Sequence, residues 1–150
     1  MASGAFTSAG TTIGVVADAP ATYDDTGFES LTFDLIGEVT DLGEFGREYS
    51  LVTHNPLGDR QTVKRKGSFN DGSISMTVAR VPGDAGQTVL QEALDSDENY
   101  SFNVTLQDGT ELYFSAQVMS YTANVGTVDQ ITTASVTIEI TDEIIEVAPA

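Results

Sequence analysis

A period-two alternation of apolar and small polar residues recurs along this chain and leaves little room for anything but antiparallel β-structure. After the turn signal Asn70-Asp71-Gly72, Ile74, Met76 and Val78 alternate with Ser73, Ser75 and Thr77. Tyr100, Phe102, Val104 and Leu106 alternate with Ser101, Asn103 and Thr105. Leu112, Phe114, Ala116 and Val118 follow beyond Asp108-Gly109, a dipeptide that tolerates φ > 0 at both positions of a tight hairpin turn. A further turn marked by Gly126 and Asp129 leads to Ala134, Val136, Ile138 and Ile140, set against Thr133, Ser135, Thr137 and Glu139. Successive strand side chains point to opposite sides, so each run predicts one face for a core and one hydroxyl-bearing face turned elsewhere. Two earlier strands are expected over Thr12–Ala17 and Leu31–Leu35, the second with Leu31, Phe33 and Leu35 on its core side, and Asp18–Gly27 reads as the loop between them.

One helix interrupts this pattern. Pro82-Gly83 breaks the chain, and Asp84 with Gln87 three residues later has the form of a capping box, in which a carboxylate takes orphan N–H groups at a helix start. Val89, Leu90, Ala93 and Leu94 then form a single apolar stripe, with Gln87, Gln91 and Glu92 expected to lie away from it. Leu90 and Leu94 are the expected contacts of the helix with the core. At least six strands and one flanking helix in 150 residues fit a single domain, an antiparallel sandwich or barrel.

Composition removes whole classes of function. No apolar run is long enough for a membrane-spanning helix, and the absence of Cys excludes disulfides, thiolate catalysis and cysteine-ligated zinc. MASGAFTSAGTT has neither the basic nor the apolar region of a secretory signal, so synthesis and assembly in the cytoplasm is the expected reading. Six Lys and Arg against 23 Asp and Glu give a formal net charge of −17. A protein gains affinity for DNA by neutralising phosphates and releasing counterions, so this chain repels a duplex rather than grips it.

A search for reaction chemistry finds nothing to build on. His54 is the sole histidine; it sits beside Pro56 in a loop, and no Gly-x-Ser-x-Gly elbow accompanies it. Asp95, Asp97 and Asn99 alternate like calcium ligands, but the glycine and closing glutamate of a calcium loop are not at the required spacings. The sequons at Asn99 and Asn103 fall at or inside a predicted strand and read as chance matches. No glycine-rich loop joins a strand to a helix to cradle phosphate. No catalytic residue, metal ligand or cofactor is therefore expected.

The scarce positive charge is concentrated. From Gly37 to Lys66 no period is sustained, and the segment reads as a projecting loop or hairpin of the kind that is usually functional. Arg60, Lys64, Arg65, Lys66 and Arg80 fall within one short stretch, with Arg47 just before them, and Leu51, Val52 and Leu57 are the apolar anchors. In a chain this acidic, the natural partner of a basic loop is another copy of the chain, joined head to tail through two different patches. Ile144 and Ile145, in an acidic tail that runs from Asp142 to Ala150, are candidates for the same interface. Residues 1–10 form a small-residue arm.

The strand, the Pro/Gly break and the short Gly-Gln…Leu…Ala helix between Gly67 and Leu94 resemble the major tail tube proteins of long-tailed, siphovirus-type bacteriophages, and the order of elements follows that family from about Gly37 to Ile140. The resemblance implies a non-enzymatic structural subunit of the virion tail, forming hexameric rings that stack into a hollow tube, with other tail proteins at its ends and DNA passing through without adhering. For such a channel the wall should be small, polar and negative; Ser73, Ser75, Thr77, Thr133, Ser135, Thr137 and Glu139 are the candidate lumen residues. A tube subunit of a contractile tail or secretion machine, and a secreted β-sandwich binding module, are the alternatives. The last would need an apolar groove with converging aromatics.

Overall fold

Ten strands and two helices make up the computed structural model, which describes residues 4–149. In chain order they are β1 (Thr12–Val16), α1 (Asp25–Glu29), β2 (Asp34–Leu35), β3 (Val39–Asp41), β4 (Glu48–His54), β5 (Val63–Asn70) and β6 (Ser73–Ala79), then α2 (Ala85–Leu94), β7 (Tyr100–Thr105), β8 (Glu111–Asn124), β9 (Thr133–Ile140) and β10 (Ile145–Val147). The fold is mainly β, with one antiparallel sheet in the order β2-β1-β7-β8-β9-β6-β3 and β10 added beside β8. Strands β4 and β5 stand apart as a two-stranded hairpin.

The expected alternation builds the core. Ile74, Met76 and Val78 from β6, Phe102 and Val104 from β7, Phe114 and Ala116 from β8, and Val136 and Ile138 from β9 are buried on one concave face. The Phe102 and Phe114 rings stack at 5.5 Å. Gly72 takes φ +89° in the turn before β6, and Gly109 takes φ +95° in the β7–β8 hairpin, as the turn signals require.

One extended segment holds both edges of the curled sheet. The N–H of Ile36 donates to the carbonyl of Ile13 in β1, while the carbonyl of Glu38 accepts from Ala79 in β6, each at 2.9 Å. Only Gly37 separates the two contacts. Helix α2 lies over this crossing, with Leu90 and Ala93 buried. Asp84 caps the helix as expected, accepting from the N–H of Gln87, and its carboxylate also accepts from the N–H of Gly37.

Several expectations need correction. Gln87 is buried, not turned away: its Nε2 donates to the carbonyls of Gly37 and Ala79, and its Oε1 accepts from Val81 N–H and the Tyr121 hydroxyl. A polar side chain thus sits on the packing face because it satisfies backbone groups there. Leu94, at the last position of α2, is 38% exposed. Of the expected strand Leu31–Leu35 only Asp34 and Leu35 pair, and Leu35 is exposed while Ile36 is buried. The expected loop Asp18–Gly27 runs into α1, where Asp24 accepts from Gly27 N–H at 2.7 Å. The first part of the Gly37–Lys66 segment is not a projection, since β3 joins the sheet and Leu42 and Phe45 pack against the core.

Helix α1 explains why half of the sheet is buried on both faces. Phe28 stacks on Tyr113 at 5.4 Å, Tyr23 meets Phe28 edge-on at 5.0 Å, and Phe33 approaches Tyr113 at 6.0 Å. This second aromatic cluster covers Tyr113 and Ser115 on the outer side of β8. The hydroxyl of Tyr23 accepts from Ser115 N–H and donates to the carbonyl of Glu143, tying down the chain that leads into β10.

Candidate assembly and channel surfaces

The outer face of β6, β9 and the second half of β8 has no such cover. All seven candidate wall residues are together on it, and registry sorts them into cross-strand rows. Ser73 pairs with Glu139, Ser75 with Thr137, Thr77 with Ser135, and Ala79 with Thr133. Strand β8 extends the rows with Gln117, Ser120, Thr122 and Asn124, and β3 adds Asp41 beside Thr77. Ser120, Thr122 and Asn124 escape a sequence reading because a bulge between Val118 and Ser120 inserts Met119 and shifts the alternation, so that Tyr121 rather than Ser120 faces inward. Along these rows the charged residues are Asp41 and Glu139, both acidic. The surface is hydroxyl- and amide-rich, and Met119 is its exposed apolar residue.

The second surface is the β4–β5 hairpin. It carries Arg60, Lys64, Arg65 and Lys66 with only Glu48 and Asp59 against them, although the whole chain holds 23 acidic residues. Registry places Tyr49 opposite Phe69 and Leu51 opposite Lys66, with a bulge between the pairs. Lys66 Nζ stands 4.7 Å over the Tyr49 ring, and the Arg47 guanidinium 4.1 Å over the Phe69 ring. A stripe of cations, aromatics and Leu51 therefore runs along one face of the hairpin. The aromatic members were not among the expected interface residues, since nothing in the sequence pairs Tyr49 with Phe69 across 20 positions of irregular chain.

Its electrostatics are unbalanced. Arg47, at the hairpin base, is hydrogen-bonded to Asp71 at 3.2 Å and ion-paired with Glu143 at 3.7 Å, and hydrogen bonding to Tyr49 and Asp71 holds its guanidinium more firmly charged. Among the described residues these are the ion pairs; Arg60, Lys64, Arg65 and Lys66 meet no carboxylate. Leu51, Val52 and Leu57 are 66%, 52% and 107% exposed. Arg80 lies elsewhere, just past the far end of β6. Ile144 packs against the core and Ile145 pairs with Tyr113, both within the chain and half-buried.

Nothing assembles around His54, which is exposed at the end of β4. No cluster of three or more potential metal-ligating side chains occurs among the described residues. An open groove of about 380 Å³ lies between the β3–β4 connection and the end of β7, lined by Val39, Leu42, Val104 and Leu106 with Phe45 as its aromatic residue. Converging aromatics, which a sugar-binding groove needs, are not found there.

The chain belongs to the lambda phage tail tube protein family, whose pattern it matches over residues 32–144. It is thus a structural component of a phage-type tail. No curated protein sequence matches it. Among solved structures it resembles a chain of the anti-feeding prophage baseplate (TM-score 0.73, 9% identity, 99% of this chain and 98% of that one). It also resembles a chain of the sheath/tube terminator of an extracellular contractile injection system (0.69, 14%, 99% and 100%) and the SPP1 tail tube (0.62, 15%, 91% and 75%). At these identities the likeness is one of fold.

Proposed function

We propose that this chain is the self-assembling, non-enzymatic tube subunit of a long-tailed, siphovirus-type phage, forming stacked hexameric rings around an acidic channel through which DNA reaches the host. The observation that carries the reading is the hairpin: four cations that meet no carboxylate and three aliphatic side chains held out in solvent, in a chain otherwise dense in carboxylates. Such a patch is suited to being covered by another molecule, and the acidic body of a second copy is complementary to it. Self-association, contact with other tail proteins at the tube ends and assembly in the host cytoplasm follow from this role. The bare Ser/Thr face serves as the channel wall, because a wall without cations offers a sliding duplex no counterion-release gain.

A second reading is favoured by the likeness to the sheath/tube terminator of an extracellular contractile injection system: a tube subunit or terminator of a contractile machine. It shares the physical task and the same surfaces. Negative-stain microscopy of the purified protein tests the common core of both readings, with rings or tubes as the expected outcome. A chain that stays monomeric at high concentration would overturn them. Reversing Arg60, Lys64, Arg65 and Lys66 to Glu should abolish assembly, with partial rescue by salt, which screens charges beyond about 10 Å near 0.1 M.

A further inference from the structure

The end of the molecule opposite the hairpin carries a second exposed apolar patch. Strands β8 and β9 are joined by residues 125–132, where Val125, Val128 and Ile131 are 65%, 97% and 76% exposed, and Val81 lies close by at 40% because Arg80 N–H donates to the carbonyl of Thr132. The loop is built to display these side chains. Gln130 N–H donates to the Thr127 carbonyl, and Thr127 N–H donates back to the Gln130 side chain, so the apolar residues are held outward and not collapsed on the sheet. Its charged member, Asp129, is exposed, as is Glu38, whose carbonyl is bonded to Ala79 at the same end of β6.

Registry fixes where the two patches lie. Ala79, Thr133 and Asn124 align at the end that bears the 125–132 loop. Ser73 pairs with Glu139, and Ile140 N–H donates to Gly72, at the end from which β5 and its hairpin leave. The six steps from Ser73 to Ala79 along β6 separate the two ends by roughly 20 Å at about 3.3 Å per residue. One end thus offers aliphatic side chains with four cations, the other aliphatic side chains with the carboxylates of Asp129 and Glu38 and a single cation, Arg80.

Resting on the tube-subunit reading, we infer that the 125–132 loop is the acceptor for the β4–β5 hairpin of a second copy. Hairpin against hairpin would set four cations against four and is disfavoured, whereas hairpin against loop pairs Leu57 and Leu51 with Val128 and Ile131, and lysines with Asp129. Two different patches at opposite ends make a head-to-tail contact that repeats from subunit to subunit and does not stop at a dimer.

The chain contains no cysteine, so engineered thiols report this contact without background. The double variant Leu57→Cys, Val128→Cys should give, on mild oxidation, a covalent ladder extending past the dimer. An equimolar mixture of the two single variants should give a dimer containing one of each. Met119→Cys, on the sheet face, should not cross-link to Leu57→Cys. The variant Val128→Asp, Ile131→Asp, both changes being in an exposed loop, should keep its circular dichroism and raise the concentration needed for assembly at least tenfold. Tubes that form with Leu57→Cys unreactive toward Val128→Cys would overturn the acceptor assignment and leave the tube reading standing. Absence of any assembly by the unsubstituted chain would overturn both. A dimer of Leu57→Cys alone would show the hairpins meeting each other and reject the head-to-tail contact.

Discussion

Gln87 Nε2 donates to the carbonyl of Gly37 at 3.1 Å, and through this bond a helix side chain holds the one segment that joins both edges of the sheet. The same amide serves Ala79 and Val81, so three backbone groups depend on it. Gln87→Ala leaves them without these partners and should cost about 2 kcal/mol, the scale set by leaving partly buried polar groups unpaired. Urea unfolding of the two proteins measures it. A difference under about 0.5 kcal/mol, the size of an ordinary surface change, would show that the clamp is incidental.

Gly86, one residue earlier, makes a sharper test because two effects oppose each other. Helix propensity alone favours Gly86→Ala by up to about 1 kcal/mol. A Cβ there would stand 2.4 Å from the carbonyl oxygen of Leu35 and 2.6 Å from Cα of Ile36, both backbone atoms of the bridging segment. Backbone cannot step aside as a flexible side chain can, so the helix would have to lift off its seat. Overpacking of this kind costs about 1–3 kcal/mol, and the expected result is net destabilisation in thermal melts. A raised melting temperature would mean that α2 is free to move.

These two positions also show where the sequence was readable. The concave core was, because Ile74, Met76, Val78 and their counterparts in β7 and β9 follow a strict period of two, and a one-residue slip would turn them all to solvent. The bare polar face follows from the same alternation. Gln87 and Gly86 were not readable, since a polar residue and a glycine on a helix give no sign of the distant backbone they touch. Helix α1 spans five residues and is defined by its Asp24 cap and by Phe28 packing on Tyr113, a contact made across distant parts of the chain. Beyond Val118, the β8 part of that polar face was hidden by a single inserted residue, Met119.

Two tyrosines predict how stability responds to alkali. Burial raises the pKa of Tyr23 above its ordinary value, and burial with a hydrogen bond to the Glu111 carboxylate raises that of Tyr113. Both hydroxyls are thus favoured protonated in the folded state, and the unfolded chain loses these protons first. Their contribution is complete below the ordinary tyrosine pKa of about 10 and is lost as pH climbs through the raised folded values. The melting temperature should fall above pH 10 more steeply than in Tyr113→Phe, which keeps the ring against Phe28 and cannot ionise. Parallel slopes for the two proteins would exclude Tyr113 from the effect.

The wall itself yields the last prediction, which rests on the tube reading. Ser75, Ser135 and Thr137 lie on neighbouring cross-strand rows of the bare face, outside the hairpin and away from the buried core. Replacing them with Lys should leave tubes able to form, since exposed strand positions tolerate such changes at little cost in stability. If this face lines the channel, each lysine adds a favourable phosphate contact, and each contact steepens the fall of log K against log salt by about 0.9. The variant tubes should therefore retain duplex DNA at low salt and release it as salt rises, while unsubstituted tubes retain none. Hairpin reversal should produce the opposite pattern, with assembly lost and no DNA retained. Lysine tubes that form normally and still ignore DNA would place this face on the outside of the tube or against a neighbour. The channel wall would then have to be sought on a different surface of the same subunit.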